Sequence, residues 1–240
     1  MFDPRMYLAE YTGKGVRVAI IDSGVHADHP HVGGVSGGVA IRDDGTLDDD
    51  FVDRLGHGTA VAAAIREKAP AVEIIAIKVF WRNLTTSVAT LVCAIEEAVA
   101  RGAMIVNLSL GTTDSRHRGE LAGAVARARA AGVLIVSAIE DAGVRWLPGD
   151  LSDVIPVQLD WACARDSYRI VSAHGRSIVA ASGYPRDIPG VPRERNLKGI
   201  SFAVANASAF VARTLEAAPG ANATTVFAAL ERSAGGQLPG

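Results

Sequence analysis

The sequence predicts an α/β fold, a three-layer α/β/α domain with a mostly parallel twisted sheet. Three observations support this prediction. Five segments are short, rich in β-branched residues and almost continuously apolar, which is typical of strands buried on both faces of a parallel sheet. Segments with helical spacing alternate with these strands, which indicates βαβ units. No internal repeat or low-complexity linker divides the chain, so we expect residues 1–240 to form one domain.

The elements follow from local composition. Two predicted helices end at Gly102 and Gly132, which are suitable C-terminal caps. Residues 33–56 are Gly-rich and acidic, and residues 183–199 carry three of the ten prolines, so we expect both to be surface loops near a site. The predicted strands are residues 15–21, 72–80, 103–110, 132–139 and 153–159. The predicted helices are residues 58–69, 87–102 and 119–132 and a long helix that begins at Ser201.

The composition excludes several classes of function. The 24 Lys and Arg residues nearly balance the 26 acidic residues, so the net charge of -2 predicts no nucleic-acid partner and no anionic membrane surface. The apolar content of 49% is sufficient for a sizeable core. No apolar run approaches the length of about 18 residues that a membrane span needs. The N-terminus lacks the basic start and apolar run of a signal peptide, so we expect a cytoplasmic protein with neither signal peptide nor pro-domain.

The cysteines fit the same expectation. Cys93 and Cys163 are far apart in a chain without a recognisable export signal. We therefore predict two reduced, buried thiols that form no disulfide and do not act as nucleophiles.

Three polar residues stand where predicted strands end or predicted helices begin. Asp22 follows the first strand in "AIIDSG", His57 lies between two glycines in "GHGTA", and Ser201 begins a long apolar helix in "GISFAVA". Taken singly, they are an acid at a strand end, a structural histidine and a helix-capping serine. Taken together, they supply an orienting acid, a general base and a nucleophile. The hydroxyl and amide of Ser201 would lie at the positive end of a helix dipole, where an oxyanion can be held.

The same blocks carry a family resemblance. "VAIIDSGVHADHP", "GHGTAVA" and "GISFAVA" resemble the three signature blocks of the subtilisin-like serine proteases, in the order Asp, His, Ser. "IVNLSLGT" is similar to the substrate-binding strand of that family, and the likeness extends from about residue 15 to 215. The resemblance implies a subtilisin-like fold and a catalytic triad of Asp22, His57 and Ser201. It also implies that Ser109, Leu110 and Gly111 bind an extended peptide by adding a strand.

One position departs from the family pattern. In the family, the strand that resembles residues 133–138 is followed by Ala-Ala-Gly-Asn, and the asparagine donates the side-chain half of the oxyanion hole. A gapless alignment on Gly132 places Asp141 at the asparagine and Glu140 at the glycine. The resemblance therefore implies an oxyanion hole of Asp141 and Ser201. The remaining substrate-binding residues that it implies are Ala138, Ile139 and Glu140.

The acid at this position leaves several interpretations open. A protonated Asp141 in an enclosed site could donate a hydrogen bond, which predicts a slow or acid-favouring protease. An ionised Asp141 would repel the oxyanion and slow hydrolysis in favour of one bound substrate. A third interpretation is a peptide-binding module without activity, and a fourth is a shifted loop that exposes both acids to solvent.

Two further clusters suggest metal or substrate sites. "HADHPH" places His26, His29 and His31 near Asp28, but the His-Pro pair is typical of the family block, so we predict no zinc site. The acidic run predicts a solvated loop, with Ca²⁺ binding and selection of basic substrate side chains as alternatives. Its members are Asp43, Asp44, Asp48, Asp49, Asp50 and Asp53.

The sequence thus predicts a serine endopeptidase that needs no cofactor. We expect its partner to be a peptide or protein, such as an intracellular precursor of a ribosomally made peptide, and no nucleic acid or membrane. The alternative is a module with the same fold that holds a peptide without cutting it. The sequence does not predict the oligomeric state.

Overall fold

A nine-stranded sheet forms the centre of the structure, a computed structural model that describes residues 8–234. The strands are β1 (Arg17–Asp22), β2 (Gly37–Ile41), β3 (Leu47–Asp48), β4 (Glu73–Lys78), β5 (Ile105–Leu108), β6 (Leu134–Ala138), β7 (Glu140–Asp141), β8 (Val144–Arg145), β9 (Val154–Leu159), β10 (Tyr168–Ala173) and β11 (Arg176–Ala181). The helices are α1 (His57–Lys68), α2 (Val88–Ala100), α3 (Arg118–Ala130), α4 (Ile200–Ala217) and α5 (Ala223–Ser233).

The sheet is mostly parallel, as predicted. Its strand order is β10-β11-β9-β6-β5-β1-β4-β2-β3, and β7 and β8 form a separate hairpin. Strands β1, β2, β4, β5, β6, β9 and β11 run parallel to their neighbours, while β3 and β10 pair antiparallel at the two edges. The carboxyl ends of the parallel strands therefore lie along one rim, where ligands bind in such sheets.

Helices cover both faces of the sheet. Successive side chains of β1 point to opposite faces, so Val18 and Ile20 pack in one core cluster and Ala19 and Ile21 in another. The first cluster includes the buried faces of α1, α4 and α5, and the second includes those of α2 and α3. This arrangement confirms the predicted three-layer α/β/α architecture.

The prediction that residues 33–56 form only a surface loop is wrong. They include β2, which extends the sheet beyond β4, and the short edge strand β3. A Cβ atom at Gly38 would lie 2.6 Å from the ring of Phe51 and 2.8 Å from the carbonyl oxygen of Ala76. Glycine therefore allows close packing inside a strand here.

The helix ends and cysteines predicted from the sequence differ only slightly from those in the structure. Gly102 and Gly132 have φ angles of +71° and +78°, which suits the helix ends predicted there. Both cysteines are free, but Cys93 is only partly buried, because it lies near the solvent side of α2. Across residues 8–234, no helix combines the length and apolar character needed to cross a bilayer.

Candidate active site

Asp22 and His57 meet at the rim of the sheet. Asp22 is the last residue of β1 and is fully buried, and His57 is the first residue of α1. The Nδ1 atom of His57 lies 2.7 Å from Oδ1 and 2.9 Å from Oδ2 of Asp22. A Cβ atom at Gly58 would lie 2.1 Å from the carbonyl oxygen of Gly24 and 3.1 Å from Cβ of Asp22. Only glycine at position 58 lets α1 begin this close to the end of β1.

A buried carboxylate holds the loop that leads to His57. Asp53 is 8% exposed and accepts five hydrogen bonds of 2.6 to 2.9 Å. Burial opposes its charge, but these hydrogen bonds outweigh burial and hold the pKa of Asp53 below its usual range. The donors are the hydroxyls of Ser23 and Thr59 and the amides of Leu55, Gly56 and Thr59.

Ser23 links this carboxylate to the catalytic acid. The Ser23 hydroxyl donates to Asp53 at 2.9 Å and accepts from the amide of Gly58 at 2.9 Å, and the Ser23 amide donates to Asp22 at 2.7 Å. The end of β1 and the start of α1 are therefore joined by one buried network. The sequence places Asp53 shortly before Gly56 and His57, which could have indicated this role. It was missed because Asp53 belongs to an acidic run that is typical of a solvated loop.

The groups around His57 determine the direction in which the pKa of its imidazole is shifted. Burial of the imidazole disfavours its charged form, while the hydrogen bond that it donates to Asp22 and the negative charges of Asp22 and Asp53 favour it. The second group of effects is larger, so the pKa of His57 is raised above its ordinary value. Its side chain is 15% exposed, which leaves the ring accessible from one side.

Ser201 also lies at this rim of the sheet, at the start of α4. It is the second residue of α4, so the helix itself supplies no acceptor for its amide. Its Oγ donates to the carbonyl oxygen of Ser109 at 3.5 Å, and Ser109 Oγ donates to the carbonyl oxygen of Ser201 at 3.4 Å. Among residues 8–234, no hydrogen bond joins Ser201 and His57, although both line one cleft. In active sites without substrate, such bonds are often long and tighten on binding.

A polar chain anchors α4 to the sheet below Ser201. The hydroxyl of Ser208 donates to Asn107 Oδ1 at 3.0 Å, and Asn107 Nδ2 donates to Ser109 Oγ at 3.0 Å. Ser208 and Asn107 are fully buried in a layer that is otherwise mostly apolar. This contact fixes the position of α4 along β5.

A cleft of about 710 Å³ runs past both catalytic side chains. Ser109, Leu110, Gly111, Ala138 and Asp141 line it together with His57 and Ser201. The sequence did not identify the other walls, because nothing in the strand and helix patterns shows which loop will face a cleft. These walls include Phe80, Leu84, Val88, Leu91, His117 and Trp146.

The two acids after β6 have different surroundings. Asp141 is half-buried and lines the cleft. Glu140 is not among the lining residues, and its carboxylate lies 2.9 Å from Nε2 of His174. Ile139 is fully buried, and its carbonyl oxygen accepts a hydrogen bond from the amide of Trp146 at 2.9 Å. The structure therefore brings Asp141 to the cleft but turns the side chains of Ile139 and Glu140 away from it.

The difference arises from a tight hairpin that the gapless alignment did not anticipate. Strands β7 and β8 pair Glu140 with Arg145 and Asp141 with Val144. The two turn residues, Ala142 and Gly143, have φ angles of +48° and +78°, as a type I′ turn requires. Neighbouring residues of a strand point to opposite sides, so only one of the two acids can face the cleft.

The acidic run lies outside the cleft. Asp48 pairs with Arg42, and Asp50 pairs with Arg54 at 2.8 Å. None of the run's six members lines the cleft. Within residues 8–234, no three His, Cys, Asp or Glu side chains are grouped to hold a metal ion. His26, His29 and His31 line a different groove, next to α1.

Comparisons with known proteins identify the family of this chain. Residues 13–239 match the model of the subtilase family. Over 211 residues, 80% of this chain, it is 32% identical to the subtilisin-like protease SBT6.1 of Arabidopsis thaliana. Over 140 residues, 55% of this chain, it is 36% identical to a thermostable alkaline protease of Halalkalibacterium halodurans. These alignments cover 20% and 37% of the two relatives, so this chain spans less than half of either.

A solved structure shows the same fold. The crystal structure of a cold adapted subtilisin-like serine proteinase superposes with a TM-score of 0.69, covering 92% of this chain and 82% of that one, at 21% identity. The family match covers Asp22, His57 and Ser201, which the structure brings to one rim of the sheet. The chain therefore belongs to the subtilase family.

Proposed function

We propose that this chain is a serine endopeptidase that cuts peptides bound in the cleft. The observation that carries the proposal is the buried Asp22–His57 pair, at 2.7 Å, in the same cleft as a serine at a helix N-terminus. Ser201 Oγ attacks the peptide carbonyl and passes its proton to Nε2 of His57. Asp22 holds the other ring nitrogen, which fixes the tautomer and stabilises the imidazolium. The amide of Ser201 donates to the oxyanion.

A peptide chain suits the cleft better than a small metabolite. Residues 109–111 run along the cleft beyond the end of β5, where they can pair with an extended backbone. The cleft is walled by the apolar side chains of Leu84, Val88 and Leu91, which can bury substrate side chains. This lining supports cleavage of selected sequences.

The proposal extends to a defined intracellular peptide or protein as substrate, such as a ribosomally made precursor. Two free cysteines support it, because thiols persist in reducing compartments. Incubation with a peptide library and mass spectrometry of the products will show whether cleavage follows a narrow sequence pattern. Fractionation of the native cells will show whether the protein is retained inside them; a protein found in the medium, or cleavage without sequence preference, would contradict this part.

A fluorophosphonate probe tests the catalytic proposal directly. We expect covalent labelling of Ser201 that is lost in Ser201→Ala and His57→Ala. Ser177→Ala is the matched control, because the hydroxyl of Ser177 bonds to Glu231 on the far edge of the sheet. Absence of labelling between about pH 5 and 9, the range in which histidine titrates, would refute the proposal.

A second function is favoured by one observation. Ser201 Oγ is bonded to the carbonyl of Ser109 instead of His57, and Asp141 lines the cleft in place of an amide donor. A module that binds peptides without cutting them would have this geometry. Tight binding of library peptides by a protein that the probe does not label would identify it.

A further inference from the structure

A second groove lies next to the catalytic centre and has no role in the mechanism above. Its volume is about 440 Å³. One wall is formed by Ala60 and Ala63 of α1, and the other by Ile188, Val191 and Leu197 in the long segment before α4. The three larger side chains are 43%, 40% and 48% exposed, although they are apolar. Clustered exposed apolar side chains indicate an interaction site.

The groove and the cleft meet at the catalytic residues. Gly56 lines the groove and His57 lines the cleft; in the same way, Leu197 lines the groove and Ile200 lines the cleft. The two cavities therefore adjoin near His57 and Ser201. A peptide that pairs with residues 109–111 and places its scissile carbonyl at Ser201 can continue past His57. The part that follows the scissile bond can then enter the groove.

The rim of the groove carries positive charge that no described side chain neutralises. Arg186 and Arg195 both line it, and neither guanidinium has an ion pair or a hydrogen bond with a described side chain. Two acids close to the groove are already engaged. Asp53 accepts its five hydrogen bonds from the loop before His57, and Asp187 pairs with Arg165 at 2.8 Å.

Histidines complete the polar part of this rim. His26, His29 and His31 line the groove between α1 and the arginines, and the rings of His29 and His31 pack edge to face at 5.2 Å. Imidazole nitrogens can donate to a carboxylate, and two guanidinium groups can bind carboxylates directly. The groove therefore combines an apolar floor with donors suited to anions.

We propose that this groove binds the leaving side of the substrate and selects an apolar residue followed by acidic residues after the scissile bond. The inference rests on the proposed peptidase function and adds a substrate class to it. It also reverses the sequence-based idea of selection for basic residues. Five members of the acidic run line neither the cleft nor the groove, and the sixth, Asp53, lines the groove but is already held by five hydrogen bonds, whereas two arginines line the groove.

Quenched fluorogenic peptides test the proposal. Three substrates share all residues before the cleaved bond and carry Ser-Leu-Glu-Glu, Ser-Leu-Gln-Gln or Ser-Leu-Lys-Lys after it. We expect kcat/KM to fall in that order, by about tenfold from the first to the last, since two partly exposed ion pairs are involved. In the double variant Arg186→Gln/Arg195→Gln, the difference should shrink to about twofold or less.

Arg193→Gln is the matched control. Arg193 belongs to the same segment and carries the same charge, but it lies over the ring of Tyr184 and beside Asp187, and it is not among the groove residues. This variant should keep the wild-type preference. Equal rates for the three peptides, or an equal loss of preference in Arg193→Gln, would overturn the proposal.

The test separates this inference from the proposed function. A protein that reacts with the fluorophosphonate and cuts all three peptides equally retains the peptidase function but lacks the acidic preference. A protein that neither reacts nor cuts loses the peptidase function, and fluorescence anisotropy then decides the inference. With Ser201→Ala protein, labelled peptides should bind more tightly with Glu-Glu than with Lys-Lys, and equal Kd values would refute the groove's role.

Discussion

The two halves of the catalytic centre differ in how firmly they are held. The half with Asp22 and His57 is buried and joined by short hydrogen bonds to Ser23 and Asp53. The half with Ser201 and Asp141 faces the cleft, and the hydroxyl of Ser201 makes one long bond, of 3.5 Å. In the proposed mechanism the general base is therefore preorganised in the free protein, and we expect the nucleophile to take its final position when substrate fills the cleft.

The largest expected effect comes from removing one side chain from each half, which tests whether the two halves act as one unit. Ser201→Ala and His57→Ala should each lower kcat by about 10⁴-fold or more, because the nucleophile and the base act as one unit. For the same reason the double variant should be no worse than either single one. Steady-state rates on one fluorogenic peptide will show this, and multiplicative losses would mean that the halves work independently.

Asp141→Asn should improve oxyanion binding in the half of the site that contains Ser201. An amide can donate to the oxyanion where a carboxylate repels it, so we expect hydrolysis at neutral pH to rise by about tenfold to a hundredfold. Glu140→Gln is the control, because Glu140 faces His174 and not the cleft. A lower rate in Asp141→Asn would show that the acid takes part in catalysis.

Asp53→Asn should weaken the hydrogen-bond network that holds Asp22 and His57. The neutral imidazole is the active base, and the pKa of His57 is raised, partly by the charge of Asp53. The acid limb of kcat/KM should therefore lie above the ordinary histidine value of about 6.5 and move to lower pH in the variant. We also expect kcat to fall about tenfold, because an amide has one acceptor oxygen, whereas both carboxylate oxygens of Asp53 accept hydrogen bonds, Oδ2 from Thr59 and Oδ1 from Ser23 and the loop amides.

The pH profile has a charge-matched control. Asp50→Asn removes an acid from the same run, but the carboxylate of Asp50 pairs with the guanidinium of Arg54 and is not among the charges that raise the pKa of His57. Its acid limb should coincide with that of the wild type. An unshifted limb in Asp53→Asn would assign the raised pKa of His57 to Asp22 alone.

The smallest effect concerns the hairpin that carries Asp141. Ala142 has a φ angle of +48°, which alanine adopts at a cost and asparagine tolerates well. Ala142→Asn should stabilise the fold by about 0.5–1 kcal/mol, and Tm should rise by about 1–4 °C in a chain of this size. Ala142→Val should lower Tm. Calorimetry on both variants checks the sign, and a lower Tm in Ala142→Asn would contradict the strain at this turn.

The sequence predicted the buried strands well and the strands near the edges of the sheet poorly. Strands β1, β4, β5, β6 and β9 are buried on both faces, so their apolar runs were continuous and easily recognised. Strands β2 and β10 lie at or near the edges and are partly exposed, and their composition resembles that of loops. Edge strands thus lack the pattern on which the prediction depended.

The same contrast applies to the site. Asp22, His57 and Ser201 stand at ends of regular elements, whose meeting point follows from the topology of a parallel sheet. The roles of Asp53, Glu140 and Trp146 depend on the paths of loops and on a two-residue hairpin. A shift of one residue in such a hairpin exchanges the side chains on its two sides. The sequence pattern does not show which of two neighbouring residues will face the cleft.

The Ser208–Asn107 contact has a consequence for how sharply the nucleophile is localised. Helix α4 crosses the sheet on small and apolar side chains, which resist axial sliding only weakly. Buried polar contacts distinguish one axial setting from its neighbours, much as one buried polar residue sets the register of paired helices. The contacts of α4 include Ser208 with Asn107, Asn206 with the carbonyl oxygen of Ser182 at 2.8 Å, and Arg213 with the carbonyl oxygen of Leu8 at 2.7 Å. We expect an apolar replacement of Ser208 and Asn107 to leave Tm nearly unchanged but to lower kcat, since a population of misaligned serines would then coexist with the aligned one; an unaltered kcat would show that the other contacts of α4 define the setting.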